Sequence, residues 1–135
     1  MATREEMDET LKGTVIPHLR DLGFKGSGLH FRRERNGALD LLSFQFSRWS
    51  GSFVVEIGRV SREGVDRYGK HIAPFQAKAY HSKERHRLGS ELRINYDDHW
   101  FEFEKCDPQE VAYKVRAEID NEELWTLVDQ MSVTR

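Results

Sequence analysis

Six histidines and one cysteine are the residues of this chain best suited to hold a metal or to act as a nucleophile. The histidines are His18, His30, His71, His81, His86 and His99. No two of them are four residues apart, the spacing that brings two imidazoles together on one helix face. His81 and His86 are five apart, which places them on opposite faces of a strand. The sequence therefore predicts no metal site and no cofactor.

The sequence shows no nucleophile with a recognisable base. Cys106 is the only cysteine, so no disulfide framework forms within the chain, and no base or resolving cysteine lies near it. We interpret it as a buried, inert thiol. The run Gly26-Ser27-Gly28 lacks the third glycine and the lysine-serine pair of a phosphate-binding loop, and no serine lies in a nucleophile elbow. No catalytic residue is therefore assigned.

The residues predicted to bind a partner alternate with apolar residues along three predicted strands. This alternation gives a sheet with one apolar face and one mostly polar face. An arginine and a tryptophan follow at the end of the second strand, and such pairs are common interface anchors. The candidate binding residues are His30, Arg32, Gln45, Ser47, Arg48, Trp49, Glu56 and Arg87. The solvated outer face of an ordinary half-buried sheet is the alternative interpretation.

A basic segment follows the strands. Residues 59 to 93 carry nine lysines and arginines against four carboxylates, together with Tyr68, Tyr80 and three of the histidines. Cations with interleaved aromatic rings can bind phosphates and stack on bases. Residues 51–56 lack the aromatic positions of an RNA-recognition motif. Nucleic acid is therefore retained as a possible partner but is not preferred over a solvated charged loop.

An amphipathic helix is predicted to begin the fold. Apolar residues recur at three- and four-residue spacing from residue 3 to residue 22. Thr3 with Glu6 predicts a capping box, and the glycine after the helix predicts its C-terminal cap. Gly13 and Pro17 predict that the helix kinks or restarts between them.

The next part of the chain changes to strand-like alternation. Asn36-Gly37 is a strong hairpin signal, and the strand that follows it runs from Leu39 to Arg48. A third strand over residues 53–57 completes a meander. Residues 61–86 show no period, which predicts a long loop with one short element.

Further strands are predicted at Leu88–Asn95 and His99–Lys105, joined by a turn at residues 96–98. Asp107-Pro108 then predicts the start of a C-terminal helix, since it supplies a cap carboxylate followed by proline at the first helical position. Asn121 predicts a break before its last turns.

Together these elements predict an α+β fold, an antiparallel sheet meander of about five strands flanked by an N-terminal and a C-terminal helix packed on one face. A chain of 135 residues fits one domain, residues 1–135. Net charge is −2, but residues 20–93 carry +7 and residues 94–135 carry −7. No apolar run approaches the roughly 20 residues of a bilayer span, and no apolar leader begins the chain. We expect a cytoplasmic protein without a membrane partner.

Short motifs occur in an order that resembles a known family. They are Leu22-Gly23-Phe24-Lys25, Phe31-Arg32-Arg33, Phe44-Gln45-Phe46-Ser47-Arg48-Trp49, Gly51-Ser52-Phe53-Val54-Val55-Glu56-Ile57-Gly58, Arg87-Leu88-Gly89 and Asp98-His99-Trp100. Over residues 22 to 100 this set resembles the bacterial family called domain of unknown function 4304. The resemblance implies a small stand-alone α+β protein of unassigned activity, and it supplies no catalytic residues.

We therefore expect a non-catalytic binding module whose polar sheet face and basic loop engage a protein or a small anionic ligand. A first alternative is an enzyme or binder for phosphate-containing ligands or nucleic acid. As an enzyme it requires a histidine as acid or base and two arginines converging in one pocket. A second alternative, the immunity partner of a bacterial toxin, follows only from the small size and the polarised charge.

Overall fold

The computed structural model describes residues 1–95 and 98–135. Most of the turn predicted at residues 96–98 therefore lies outside the described residues. The helices are α1 (Arg4–Thr14), α2 (Ile16–Asp21), α3 (Pro108–Ile119) and α4 (Glu122–Asp129). The strands are β1 (Lys25–Ser27), β2 (His30–Arg35), β3 (Ala38–Phe46), β4 (Ser52–Ser61), β5 (Val65–Arg67), β6 (Lys70–Ile72), β7 (Arg85–Arg87) and β8 (Phe101–Glu102). Two 3₁₀ turns lie at Pro74–Gln76 and Ala79–His81.

The N-terminal helix is capped and broken where the sequence predicts. Thr3 Oγ1 accepts the Glu6 N–H at 3.1 Å, and Glu6 Oε1 accepts the Thr3 N–H at 3.3 Å, which completes the capping box. The helix is interrupted at Val15 and restarts as α2 with Pro17 in its first turn. Proline has no N–H to donate, so the ladder of helical hydrogen bonds cannot run through it unbroken.

The main sheet is an antiparallel meander with the order β1-β2-β3-β4-β7, which confirms the predicted fold class. Asn36 and Gly37 have φ values of 52° and 78°, and they form the predicted hairpin turn between β2 and β3. The outer edge of β4 is shared by three short segments. Ser52 and Phe53 pair with β8, Glu56 to Gly58 pair with β7, and Val60 bridges to Thr134 near the C-terminus.

The two strands predicted last differ from those observed. The strand predicted at Leu88–Asn95 is wrong, since β7 lies at Arg85–Arg87 and ends before it. Leu88 is only 1% exposed and enters the core, and the Ser90 N–H then closes a turn on the Arg87 carbonyl at 3.1 Å. The strand predicted at His99–Lys105 is reduced to the two residues of β8.

The four helices of the described residues pack on one face of the main sheet, where they enclose the larger apolar core. The sheet contributes a ladder of aromatic and branched side chains, Phe31, Leu42, Phe44, Phe46, Phe53, Val55 and Ile57. The predicted C-terminal helix begins after its Asp107 cap and is divided at Asn121, which caps α4. No helix within the described ranges is long and apolar enough to cross a membrane.

The opposite face of the sheet is covered by residues 62–84, which we call the covering segment. It contains the β5–β6 hairpin and both 3₁₀ turns, more structure than the predicted long loop with one short element. Its apolar residues bury the outward side chains of β3 and β4 in a second cluster, formed by Leu39, Leu41, Val60, Val65, Ile72, Ala77 and Ala79. These outward side chains are apolar, and removing them from water is favourable. The predicted polar face is therefore open only in part.

A buried group of charges joins β2, β3 and β4 to α4. Asp40 is fully buried and accepts hydrogen bonds from Arg33 Nε at 3.2 Å and Arg35 Nε at 2.6 Å. Arg35 Nη1 also lies 2.9 Å from Asp129 Oδ1, at the end of α4. Arg59 donates to the Asp129 carbonyl at 3.0 Å. Part of the positive charge of the middle region is thus paired with the acidic C-terminal region inside the fold.

Candidate functional site

Polar side chains form one row across four strands of the sheet. The register pairs His30 with Ser43, Ser43 with Glu56, and Glu56 with Arg87. Facing residues of neighbouring strands share a face, so these four side chains lie side by side. The 3₁₀ turn Ala79–His81 crosses the row, and its first backbone N–H donates to Ser43 Oγ at 3.3 Å. The row is thereby divided into a part at β2 and a part at β4 and β7.

The part at β4 and β7 forms a cleft of about 230 Å³, which we call the Glu56 cleft. Arg85 Nη1 donates to Glu56 Oε1 at 3.0 Å, and Arg87 Nε lies 3.9 Å from Glu56 Oε2. The Arg87 guanidinium also lies over the Trp100 ring, 5.3 Å from its centroid, in a cation–π contact. The residues that line the cleft are Gln45, Glu56, Tyr80, Lys83, Arg85, His86, Arg87 and Asn95.

The Glu56 cleft carries an excess of positive charge. Lys83, Arg85 and Arg87 contribute three cations against one carboxylate, a net charge of +2. His86 adds none at neutral pH, because burial lowers the pKa of its imidazole, an effect only partly offset by the bond to Arg93. Its Nδ1 donates to the Arg93 carbonyl at 3.0 Å, and the residue is 1% exposed.

The two arginines suit the cleft to recognise an anion. A guanidinium presents several N–H donors in a planar fork, which matches the oxygens of a carboxylate or phosphate group. The Arg85 side chain is 42% exposed and that of Arg87 is 21% exposed, so both line the surface while Glu56 holds their position. The backbone N–H of Arg85 also donates to Asn95 Oδ1 at 3.0 Å, which links β7 to another residue of the cleft lining.

The predicted site residues at β2 lie on the other side of the 3₁₀ turn. His30 Nδ1 is 2.8 Å from Ser43 Oγ. Burial lowers the pKa of His30, and the positive charges of Lys78 and His81 lower it further. Arg32 occupies the next row, opposite Leu41 of β3. His30 and Arg32 are therefore separated from the Glu56 cleft.

The remaining predicted site residues form a corner between β3 and β4. Ser47 Oγ accepts the N–H groups of Trp49 at 3.1 Å and Ser50 at 3.2 Å, so the turn is ordered by its own side chain. The Trp49 side chain is 93% exposed beside exposed Arg48. A second cleft of about 480 Å³ opens here toward the N-terminus of α1. The corner is thus a surface distinct from the Glu56 cleft.

The structure thus distributes the eight predicted residues over three places. Gln45, Glu56 and Arg87 meet in the Glu56 cleft, while the others lie at β2 or at the corner. Within the described ranges, no three His, Cys, Asp or Glu side chains converge as metal ligands would. Cys106 is exposed, so the prediction of a buried thiol is wrong; it precedes the Asp107 cap at the solvent-facing start of α3.

Five residues that line the cleft were not among the predicted site residues. They are Tyr80, Lys83, Arg85, His86 and Asn95. The sequence does contain a pattern that indicates the three cations of the cleft. Basic residues recur at every second position in the run from Lys83 to Arg87. That spacing is typical of a strand with one cationic face. This pattern was not assigned to a strand, because the predicted strand began at Leu88.

Comparison with known proteins identifies a family that matches the chain. Residues 15–129 match the family model described as Domain of unknown function (DUF4304). No curated protein and no solved structure shows significant similarity to the chain. The matched residues include every strand of the main sheet, the covering segment and the Glu56 cleft. Since the match covers most of the chain, and extends the resemblance seen over residues 22 to 100, the protein belongs to the DUF4304 family.

Proposed function

We propose that this protein is a binding module for an anionic group, phosphate or carboxylate, which it holds in the Glu56 cleft. The observation that supports this proposal is that three cations, Lys83, Arg85 and Arg87, line one cleft with a single carboxylate, which pairs with the two arginines. Holding like charges close together is unfavourable unless a counter-charge is present. One carboxylate offsets only part of this charge, so an anion in the cleft gains favourable Coulomb energy.

Glu56 prepares the cleft for such a ligand. It lies on β4, which pairs along both of its edges, and its side chain is 18% exposed. Its ion pairs hold the heads of Arg85 and Arg87 before any ligand arrives. Binding therefore loses less side-chain entropy than it would with two freely moving arginines.

The geometry supports binding more directly than catalysis. The enzyme alternative requires a histidine to converge with two arginines in hydrogen-bond reach of a substrate. In the Glu56 cleft the corresponding histidine, His86, is 1% exposed and bonded to the Arg93 carbonyl. His86 faces Ile57 across the strand pair, on the helix-covered side of the sheet.

Calorimetric titration with inorganic pyrophosphate and with citrate at low salt tests the proposal. Arg85→Gln is expected to weaken binding of the anion about tenfold or more, since a charge-assisted hydrogen bond contributes about 1.5–3 kcal/mol. Lys114→Gln is the matched control, because it removes an exposed cation from α3 on the opposite side of the sheet.

The wild-type protein should bind at least one of these anions, and moderate salt should weaken the binding. The Arg85 variant must lose affinity while the Lys114 variant retains it. Equal losses in both variants would show that only overall charge is measured and would overturn the assignment to the cleft. Failure of the wild-type protein to bind either anion at low salt would overturn the proposed function itself.

A further inference from the structure

We propose that the anionic ligand is a single-stranded nucleic acid, whose phosphates occupy the Glu56 cleft while its bases stack on exposed rings of the covering segment. The inference rests on the proposed function and adds the class of ligand to it. It is carried by aromatic and cationic side chains that lead from the β5–β6 hairpin to the cleft.

Three aromatic rings of the covering segment are left in solvent. Tyr68 is 77% exposed, Phe75 is 66% exposed and Tyr80 is 47% exposed. Aromatic side chains bury large apolar areas when they pack, and these three contribute little of that area to the fold. The same segment buries Val65 and Ile72 completely or nearly so. Its exposed rings are therefore a separate surface feature rather than a loosely packed core.

Tyr68 occupies a backbone position that its residue type does not favour. Tyr68 and Gly69 have φ values of 55° and 72° at the tip of the hairpin. Turns with two central residues of positive φ favour Asn-Gly, as at Asn36-Gly37, because a tyrosine there is strained. The Tyr68 ring does not recover this conformational energy by packing, since it lies in solvent. Folding alone does not account for a tyrosine at this tip.

Cations connect this tip to the cleft. Arg67 Nε donates to the His81 carbonyl at 2.9 Å, and Lys70 faces Arg67 across the hairpin. Burial lowers the pKa of His81, and the positive charges of Lys78, Arg67 and Lys70 lower it further. The Tyr80 ring lies against the His81 ring, with centroids 4.3 Å apart, and Tyr80 itself lines the cleft.

The acidic residues of this region leave its positive charge in excess. Residues 62–87 contain seven lysines and arginines and three carboxylates. Each carboxylate already accepts a bond within the chain: Asp66 from His71 at 2.8 Å, Glu63 from Ser61 at 3.2 Å, and Glu84 from the Ser132 N–H at 2.6 Å.

A single-stranded nucleic acid can contact both the exposed aromatic rings and the excess positive charge of this surface. Its backbone follows a basic groove, and its bases stack on aromatic side chains whatever their sequence, because every base has a π face. A small anion would leave the rings of Tyr68 and Phe75 unused, and an acidic peptide offers charge without the regularly spaced bases. A duplex keeps its bases stacked on one another and away from these rings.

Fluorescence anisotropy of a labelled oligothymidylate of about 12 nucleotides tests this inference. The variant Tyr68→Asn removes the ring and suits the positive φ, so the hairpin should fold at least as well. It is expected to weaken binding of the oligonucleotide roughly tenfold. Tyr113→Gln is the matched control, because it removes a 57% exposed ring from α3, on the opposite face.

Two further measurements separate this inference from the proposed function. Arg85→Gln should reduce the steepness of the salt dependence by about 0.7 in the log–log slope, as the loss of one phosphate contact predicts. Tyr68→Asn should leave pyrophosphate binding unchanged, since Tyr68 lies outside the cleft lining.

The inference is overturned if Tyr68→Asn and Tyr113→Gln have the same effect on oligonucleotide affinity. It is also overturned if polyglutamate or a duplex of equal length binds as tightly as the single strand. In each of these cases, pyrophosphate binding that depends on Arg85 would leave the proposed function standing. Failure of both pyrophosphate and oligonucleotide to bind would overturn the two together.

Discussion

Three histidines of this protein are held in surroundings that favour their neutral form. The pKa values of His30, His81 and His86 all lie below the ordinary value of 6.5, and burial is the largest cause for each. At His86 the cause is visible in the contacts, because Nε2 is buried without a hydrogen-bond partner among the described residues. A proton there would create a buried donor with nothing to receive it.

Stability should therefore fall as the pH falls below the ordinary pKa of histidine. Between pH 6.5 and the lower pKa values that these histidines have in the folded protein, the unfolded chain binds more protons than the folded one. Acid therefore favours unfolding. We expect a loss on the order of 1–3 kcal/mol between about pH 7.5 and about pH 5.5. Urea unfolding at the two pH values measures it.

His71 provides a control of opposite sign. Its hydrogen bond to Asp66 raises its pKa, so its contribution is present below the ordinary value and is lost as pH rises through the raised one. His71→Gln should make the acid-induced loss steeper, whereas His86→Leu should make it shallower. Stability that rises on acidification to about pH 5.5 would contradict this account of the buried histidines.

The covering segment determines which part of the outer face of the sheet stays open. It buries the outward apolar residues of β3 and β4, divides the polar row, and places Tyr80 and Lys83 at the Glu56 cleft. Its close approach to the sheet depends on Gly58. A Cβ at that position would overlap the Ser82 side chain and lie 3.0 Å from the Ala79 carbonyl oxygen.

Gly58→Ala should therefore destabilise the protein by about 1–3 kcal/mol, as overpacking a close contact does. Gly13→Ala is the matched control. Its new methyl group meets nothing within 4 Å, and alanine in a helix is favoured by about 1 kcal/mol over glycine. Thermal unfolding measures both, and hydrogen exchange at the Ser82 amide shows whether the segment is lifted. A Gly58→Ala variant as stable as the wild type would refute this close packing.

The molecule is electrically polarised across its sheet. Residues 62–87, on the outer face, carry a net charge of +4, and residues 107–129, in the helices of the opposite face, carry −5. A field of this direction steers an anion toward the outer face and away from the helices. The polarised composition thus has two consequences in the fold, an exterior field and the ion pair between Arg35 and Asp129.

The two carboxylates that pair with Arg35, Asp40 and Asp129, should contribute unequally to the stability of the protein. Asp40→Asn leaves Arg33 and Arg35 without their buried counter-charge, which should cost about 3 kcal/mol or more. Asp129→Asn should cost only about 0.5–1 kcal/mol, because its side chain is 40% exposed and solvent screens the pair. Chemical denaturation of the two variants measures the difference, and equal losses would contradict this ranking.

Local patterns were sufficient for the helices, the first hairpin and the meander. Three of these features depend only on residues close together in the sequence, so short sequence patterns predict them. They are the capping box at Thr3, the helix restart near Pro17 and the Asn36-Gly37 turn. The second hairpin was missed because Tyr68-Gly69 does not have the residue type expected at a turn of positive φ.

The Glu56 cleft depends instead on contacts between distant residues. Glu56 and Arg85 are 29 positions apart, and they meet only because β7 pairs with β4. The covering of the polar face likewise depends on distant contacts. Apolar residues of β3 and β4 pack against the covering segment, whose own sequence shows no periodicity. Periodicity identifies which face of an element is apolar, but the free energy of burial across the whole chain selects the partner that covers it.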